Sequence, residues 1–384
     1  MHAAGAEELG YALEHALGDD LRAHRPPGAI LGVRDRAGLR RAAIGTADVP
    51  SGRPASTECF QDIASVSKVL TALATLVLVS RGELKLNDTV GNLVGAARAT
   101  VHTDVSVEDL LRHRAGMKPW MPLYLMPGSA DPVDRALSLR PAGPPGAQRV
   151  YSDLGMMVLG HLLETVTGKE LSAVIDEVVL RPLGTTAVVP GAPPGDAPTL
   201  TGGDGDAIEK QMVRTGIPYL TGLDTADFDW RTDPVRREIG DGNAHHAFGG
   251  IAGHAGWFST IDGLLAVAAA LADPVALGID EATRCALLHE VDHGQGLGAR
   301  LYRVSWNGRT RTFLGHPGFT GAFIAASTDD GDDPVLTALM VNRLHGSPAP
   351  ESGQLRNVEQ LWHQVMACLD AAEYSLEEEN PNER

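Results

Sequence analysis

One serine and one lysine in this sequence have the spacing that nucleophilic catalysis requires. Ser65 and Lys68 form an S-x-x-K motif at the start of the most apolar stretch of the chain, residues 69–79. Because positions three apart lie on one face of a helix, the lysine amine can reach the serine hydroxyl. Apolar surroundings disfavour the charged form of lysine and lower its pKa, so we expect Lys68 to accept the Ser65 proton near neutral pH. A helix N-terminus at Ser65 would favour the negative charge that develops during attack.

Two further motifs could complete such a site. Tyr151 and Asp153 enclose Ser152 just before an apolar helical pattern at 154–167, and a phenol there could move a proton from the nucleophile to the leaving group. The stretch GHPGFTG at 315–321 lies between two strand-like segments, and its glycines allow a ligand to approach the backbone closely. Each motif alone also fits an ordinary role: a solvated lysine with a helix-capping serine, a packed tyrosine with Asp153 as a cap, and a tight turn.

Taken in order, the three motifs resemble those of the serine β-lactamase and penicillin-binding-protein superfamily, above all its branch of class C β-lactamases, DD-peptidases and carboxylesterases. The resemblance extends over nearly the whole chain, including VYSDLGMMVLGHLLETVTG, GGIAGHAGWFST and GHPGFTG. The chain also loosely resembles transacylases of capuramycin-type antibiotic biosynthesis.

The resemblance implies roles for individual residues. Ser65 would be the nucleophile that forms an acyl-enzyme, and Lys68 and Tyr151 would activate it and pass on its proton. The backbone N–H groups of Ser65 and Phe319 would form the oxyanion hole, the second supplied by the strand after the third motif. Substrate would bind along Asp153, His316 and Gly318.

Two positions depart from the family pattern. The second motif commonly ends in Asn, whereas an ionised Asp153 only accepts hydrogen bonds. The third motif often begins with Lys, whereas His316 would be mostly neutral at pH 7. Both departures remove donor or positive character where β-lactams and D-Ala-ending peptides place their carboxylate, which argues against an antibiotic or cell-wall substrate.

The pattern of apolar residues predicts the elements that position these motifs. We expect helices at 7–25, 264–272 and 355–371, and strands at 29–34, 39–46, 256–259, 299–306, 310–314, 320–327 and 335–342. The expected class is α+β, of the β-lactamase/transpeptidase-like kind: an antiparallel sheet with flanking helices plus an inserted all-helical domain. The predicted sheet domain comprises 1–62 and 254–372, and the helical domain 63–253 with a Gly- and Pro-rich loop or lid at 190–245. The acidic tail, 373–384, is expected to be disordered.

Composition excludes several partners. The 384 residues carry a formal net charge of -17, which disfavours nucleic acid and an anionic membrane surface. Three widely spaced cysteines and an N-terminus without a secretory pattern predict a cytoplasmic protein. We expect no cofactor and no metal. The H-E-x-x-H match at 289–293 is followed at once by a glycine-rich stretch that would end the helix, and GGDGD at 202–206 is a single copy without its repeat.

The sequence therefore predicts acyl transfer through Ser65 on a small ester or amide donor, with an amine as a possible acceptor. A cytoplasmic transacylase of natural-product biosynthesis or an esterase is the first interpretation. A DD-carboxypeptidase or class C-like β-lactamase is the second, and a non-catalytic binding module is the third. The sequence leaves open the acyl group and the oligomeric state.

Overall fold

The structure, a computed structural model, describes residues 2–379 apart from 24, 130, 330–332, 347–349, 352 and 354, and it describes side chains from residue 5 to residue 371. Its strands are β1 (Gly28–Asp35), β2 (Gly38–Asp48), β3 (Arg53–Pro54), β4 (Gln61–Asp62), β5 (Val188–Pro190), β6 (Gly203–Asp204), β7 (Pro234–Val235), β8 (Trp257–Ser259), β9 (Arg300–Trp306), β10 (Arg309–Pro317), β11 (Ala322–Ser327) and β12 (Leu336–Val341). Its α-helices are α1 (His2–Arg22), α2 (Ser67–Ser80), α3 (Val90–Val94), α4 (Ala96–Ala99), α5 (Val107–Leu111), α6 (Pro132–Ser138), α7 (Asp153–Thr167), α8 (Leu171–Ile175), α9 (Ala207–Thr215), α10 (Ile261–Ala272), α11 (Glu281–Leu288) and α12 (Val358–Glu379).

A seven-stranded antiparallel sheet forms from the two ends of the chain, in the order β3-β2-β1-β12-β11-β10-β9. Strands β11 and β12 are buried along their whole length because helices cover both faces of the sheet. Helices α1 and α12 pack on one face and α10 packs on the other. The predicted antiparallel sheet with flanking helices is confirmed, and the predicted strands occur with ends shifted by a few residues.

The strand that carries the third motif is longer than predicted and includes His316 and Pro317. Proline is normally excluded from a central strand because it lacks the N–H that pairs with a neighbour, yet β10 lies between two neighbours. Pairing with β9 ends at Gly315, opposite Arg300, whereas pairing with β11 continues to Pro317, opposite Phe323. Pro317 therefore lies at a local sheet edge, where its missing N–H costs no ladder bond.

Two helices carry the first two motifs. Every residue from Ser67 to Leu78 in α2 is buried, which explains its continuous apolar sequence. Helix α7 begins after Ser152, whose side chain accepts a hydrogen bond from the N–H of Gly155 at 3.0 Å. Ser152 is thus the N-cap, and the alternative reading of Asp153 as the cap is wrong.

Two predicted irregular segments contain regular structure. The segment 190–245 includes β6, α9 and β7, because α9 has enough apolar residues to pack against neighbouring aromatic side chains. Helix α12 continues to Glu379, so the expected disorder from 373 is wrong as far as 379; residues 380–384 lie outside the described part of the chain. No helix among the described residues is long and apolar enough to cross a bilayer.

Candidate active site

The first motif forms the centre of the site. Ser65 lies in a 3₁₀ turn, Ala64–Val66, that leads directly into α2. The Lys68 side chain is completely buried, and its Nζ donates a hydrogen bond to Ser65 Oγ at 2.7 Å. The spacing argument is therefore correct: one helical turn brings the amine to the hydroxyl.

The charge of Lys68 differs from expectation. Burial opposes the ammonium form, but Asp153 Oδ1 lies 2.7 Å from Nζ and, together with Tyr151, raises the Lys68 pKa above its ordinary value. The predicted lowering of this pKa is wrong because the counter-ion comes from α7, far away in sequence. Lys68 is an ammonium group at rest, held between the Ser65 hydroxyl and the Asp153 carboxylate.

Tyr151 lies half-buried beside this pair, in the wall shared by the two clefts described below. Its ring centroid lies 5.0 Å from Lys68 Nζ, 4.5 Å from the ring of His113 and 5.9 Å from that of His316. Burial raises the Tyr151 pKa, while hydrogen bonds with Lys68 and Ser65 counteract part of the rise. The phenol is thus neutral at rest and contacts both members of the first motif.

The third motif borders Ser65 from the sheet side. His316 is buried, and its Nδ1–H donates to the carbonyl of Pro317 at 2.7 Å. Burial, with Lys68 nearby, lowers its pKa to about 3, so the imidazole is neutral at physiological pH. A Cβ at Gly318 would lie 2.5 Å from the carbonyl oxygen of Ile63, so only glycine permits this approach. Phe319 lies in the turn between β10 and β11 and not in the following strand as expected.

A cleft of about 370 Å³ opens on one side of Ser65, and we call it the acidic chamber. Its polar walls are dominated by five acidic residues, namely Asp153, Asp204, Asp206, Glu209 and Asp241. Trp120 and Tyr219 supply aromatic surface. The segment predicted to be a loop or lid therefore does line the cleft.

The acidic residues of this chamber are held in different ways. Burial opposes ionisation of Asp206, but hydrogen bonds from His246 and Arg231 outweigh it and keep the Asp206 pKa well below its ordinary value. Asp241 accepts from His254 Nε2 at 2.9 Å, and its pKa falls to about 2 in spite of burial. Burial raises the pKa of Glu209 to about 8, so this carboxyl is largely protonated at pH 7.

A cluster of aromatic and apolar side chains holds the outer wall of the acidic chamber, and we call it the lid cluster. Its buried members are Trp120, Met212, Val213 and Trp230. Tyr124 joins the cluster and donates its hydroxyl to Glu209 Oε2 at 2.7 Å. This hydrogen bond joins Glu209, in the wall of the acidic chamber, to the lid cluster.

A second cleft of about 300 Å³ opens on the other side of Ser65, and we call it the arginine chamber. Its walls include Arg149, Arg300 and Arg343 against a single carboxylate, Glu359, which lies 2.8 Å from Arg300 Nη1. Both chambers share five residues, namely Ser65, Tyr151, Phe319, Arg343 and Asn357. The candidate nucleophile therefore stands between two clefts of opposite charge.

Several of these residues were not found by sequence reasoning. His113 has a left-handed backbone, with φ at 54°, directly after α5, and its Nδ1 accepts the N–H of Ser152 at 3.2 Å. Asp204, Asp206, Glu209 and Asp241 lie in the segment predicted to be a loop or lid. The GGDGD match at 202–206 contains two of them, but no spacing predicts that the four share a wall. The three arginines come from separate elements and meet only in the fold.

The histidines of the H-E-x-x-H match do not share a helix. Helix α11 ends at Leu288, before His289, and His293 has a φ of 58°. The two rings therefore lack the one-turn spacing of a zinc protease. Throughout the described residues, no group of three or more His, Cys, Asp or Glu side chains could hold a metal ion.

Comparison with known proteins finds one protein family. The model of the Beta-lactamase family matches residues 13–360. Esterase EstB of Burkholderia gladioli is 34% identical over 200 residues, which cover 47% of this chain and 51% of EstB, so the chain spans about half the length of that relative. A putative D-alanyl-D-alanine carboxypeptidase of Escherichia coli K12 is 26% identical over 394 aligned positions, covering 88% of this chain and 86% of that protein.

Solved structures show the same fold. SurE superposes with a TM-score of 0.66 and 22% identity over 97% of this chain and 76% of SurE. EstCE1, described as a hydrolase with promiscuous acyltransferase activity, superposes with a TM-score of 0.65 and 17% identity over 95% of this chain and 99% of EstCE1. The expected β-lactamase/transpeptidase-like fold is confirmed.

Proposed function

We propose, because this chain belongs to the β-lactamase family of serine hydrolases and acyltransferases, that it transfers an acyl group from a small ester or amide through a covalent intermediate on Ser65. One observation carries the proposal: Ser65 Oγ lies 2.7 Å from the buried amine of Lys68, at the junction of two substrate-sized clefts. A hydroxyl at this distance from a lysine nitrogen is placed for the proton transfer that activates a serine nucleophile in covalent catalysis.

The first step must remove the Ser65 proton although Lys68 is already an ammonium. Lys68 Nζ contacts Ser65 Oγ and Asp153 Oδ1 at 2.7 Å each. Lys68 can therefore pass one of its protons to Asp153 while it receives the proton of Ser65. Asp153, the departure from the family pattern, is in this proposal the final acceptor of the proton, and the ion pair becomes an ammonium beside a neutral carboxyl group.

The remaining steps balance the proton. Ser65 Oγ bonds to the acyl carbon, and the N–H groups of Ser65 and Phe319 receive the negative charge on the carbonyl oxygen. As the bond to the leaving group breaks, Tyr151 donates its proton to the leaving atom and is reprotonated through Lys68 from Asp153. Water or an amine then attacks the acyl-enzyme, releases an acid or an amide, and returns a proton to Ser65.

We favour a cytoplasmic transacylase of natural-product biosynthesis or an esterase as the physiological form of this chemistry. A neutral His316 in place of a lysine, and the acceptor Asp153 in place of an amide, both suit donors other than β-lactams. EstB and EstCE1 are an esterase and a hydrolase with acyltransferase activity, which supports the reaction type. Within the described residues no disulfide joins the three cysteines, which fits a reducing compartment.

A panel of activated esters tests the proposal. The protein is incubated with esters of different acyl groups, and its intact mass is measured, with Ser65→Ala as the control. We expect a mass increase equal to the acyl group on the wild type and none on Ser65→Ala. Adding amines should divert product from acid to amide if transfer is the natural reaction. Absence of an adduct with every ester would contradict the proposal and favour a binding module.

The carboxypeptidase is a second candidate, favoured by the arginine chamber and by the alignment over most of the Escherichia coli relative. Three guanidinium groups beside Ser65 suit a substrate carboxylate. Penicillin distinguishes the two: rapid formation of a penicilloyl adduct on Ser65 supports a peptidase, whereas ester acylation without that adduct supports the first candidate.

A further inference from the structure

Asp62 is a buried carboxylate three residues before Ser65, and only 1% of the residue is exposed. Its Oδ1 accepts the N–H of Ala64 at 2.8 Å, and its Oδ2 accepts the N–H of Gly240 at 2.6 Å. Its main-chain oxygen accepts the hydroxyl of Thr320 at 2.6 Å. Three separate segments of the chain therefore meet at one residue that does not line either chamber.

Two of the residues that donate these hydrogen bonds are sequence neighbours of the positions expected to form the oxyanion hole. Ala64 precedes Ser65, and Thr320 follows Phe319. The side chain of Gln61 adds bonds from its Nε2 to the carbonyls of Thr320 at 3.3 Å and Val341 at 2.8 Å. Each donor must lie about 3 Å from the developing oxyanion, with a tolerance of only about 0.5 Å. The contact between these segments therefore sets whether both N–H groups reach the oxyanion together.

The turn before Ser65 is held in an uncommon conformation. Ala64 has a φ of 43°, a left-handed value that residues with a Cβ adopt only at an energetic cost. Such a conformation persists only where its surroundings fix it. The Asp62 carboxylate, which accepts the Ala64 N–H, is one of those restraints, and it also joins the turn to the segment that carries Asp241 into the acidic chamber.

A carboxylate suits this position better than an amide. Both N–H partners require an acceptor, and the amide of Asn offers one acceptor and one donor, so one of the two bonds would be lost. Burial raises the Asp62 pKa to about 6, the charge of Asp241 adds to the rise, and the two N–H bonds and Arg231 oppose it. The ionised form is thus disfavoured by folding: Asp62 lowers stability above pH 6, and this cost disappears as the pH falls through 6 towards 3.8.

We propose that Asp62 is a positioning residue, which fixes the distance between the oxyanion-hole donors of Ser65 and Phe319 and joins them to the lid segment at Gly240. The inference rests on the proposed function, since it assigns Asp62 a part in acylation of Ser65. Asp62 touches no substrate and exchanges no proton with it. It acts through the backbone of the two turns.

Asp62→Asn tests the inference in single-turnover acylation by an activated ester between pH 5 and pH 9. We expect the acylation rate constant to fall about 10- to 100-fold, somewhat less than for complete loss of an oxyanion donor, with KM within about twofold of the wild type. The wild-type rate should also fall through an apparent pKa near 6 as Asp62 is protonated, and the variant should lack that limb because an amide does not titrate in this range.

Asp280→Ala is the control for a purely structural loss. Asp280 caps α11, and its side chain accepts the N–H of Thr283 at 2.8 Å, with no contact to either chamber. We expect it to lower the melting temperature and leave the acylation rate constant unchanged. Asp62→Asn should show the opposite pattern: its acylation rate constant falls clearly, whereas its melting temperature changes little.

Thr320→Val provides a second test: it keeps the Asp62 carboxylate and side-chain shape at position 320, a residue of the acidic-chamber wall, and removes the hydrogen bond to the Asp62 carbonyl. We expect slower acylation, by several fold, at unchanged KM. If Asp62→Asn does not fold, an unchanged rate in Thr320→Val overturns the inference.

An Asp62→Asn protein that acylates at the wild-type rate with the wild-type pH profile also overturns it. If the wild type forms no adduct with any ester, the proposed function is overturned and this inference with it. If the wild type is acylated and only the Asp62→Asn result differs from expectation, the inference alone is overturned, so the two failures are distinguishable.

Discussion

The acidic chamber and the arginine chamber share the wall that contains Ser65, yet they hold their charges differently. In the acidic chamber the carboxylate of Asp206 is bound by the partly buried Arg231 and that of Asp241 by the buried His254, and Glu209 is largely protonated. In the arginine chamber three guanidinium groups face one carboxylate. The first wall is thus internally compensated, whereas the second keeps an excess of positive charge for a substrate. We therefore expect the two halves of a substrate to be sorted by charge on either side of the nucleophile.

Removing the buried charge behind the shared wall should have the largest effect. Lys68→Met removes the amine that contacts Ser65 and leaves Asp153 without its counter-ion. We expect the acylation rate to fall by about 10²–10⁴-fold for donors of every charge, because proton transfer serves both chambers equally. The measurement is the rate of adduct formation by intact mass.

Lys85→Met, a change at an exposed lysine away from both clefts, should acylate at the wild-type rate. Wild-type acylation in Lys68→Met would show that the amine takes no part in activating Ser65.

Breaking the acidic chamber should have the next largest effect. Asp206→Asn leaves the partly buried guanidinium of Arg231 without its nearest counter-ion. Removing one partner of a buried ion pair lowers the free energy of unfolding by about 3 kcal/mol or more. We expect faster protease cleavage within the lid segment and a raised KM for bulky donors, with little change for the smallest ester. Glu177→Gln, which breaks the exposed pair with Lys169, is the control and should leave stability nearly unchanged, because exposed ion pairs contribute little.

The same variant gives a pH test. The Asp206 pKa is lower in the folded protein than its ordinary value of 3.8, so its stabilising contribution is complete above that value and is lost as the pH falls below it. We expect the loss of stability in acid to be smaller in Asp206→Asn than in the wild type, as followed by denaturant unfolding. Equal acid sensitivity in the two proteins would show that this carboxylate does not anchor the lid.

Changing the arginine chamber should have the smallest and most selective effect. Arg300→Met should raise KM about 10-fold for donors with a carboxylate on the leaving group, because one hydrogen bond between charged groups is lost. An uncharged ester should be unaffected. Arg303→Met, on the exposed side of the same strand, is the matched control. An equal rise in KM for charged and uncharged donors would mean that the arginines shape the cleft without selecting charge.

The sequence predicts the centre of the site better than its walls. Ser65 and Lys68 meet because local helix geometry brings them together, and that geometry follows from spacing alone. The pKa of Lys68 could not be predicted in the same way, since Asp153 reaches it from a different helix. Asp204 pairs with His345, and Asp206 pairs with Arg231, across segments without periodicity, so only the fold shows that they share a wall.

The strands of the sheet could also be predicted from local sequence patterns. Its central strands β11 and β12 are runs of apolar and β-branched residues that are buried on both faces, and the connection between them contains Gly and Asp. The end of β10 was not predictable, because whether proline is tolerated depends on where the neighbouring strand stops. Element types thus follow from local patterns, and the exact ends follow from pairing partners.

The lid cluster has a consequence for optical measurement. Trp120 and Trp230 are buried in that cluster, whereas Trp257, Trp306 and Trp362 are buried in the body of the protein, with Trp362 stacked on Phe323 at 4.6 Å. Indole emission shifts to longer wavelength when water reaches the ring. Two indoles therefore report movement over the acidic chamber and three report global melting, so a protein with Trp120 and Trp230 replaced by Phe would separate the two signals in one fluorescence titration.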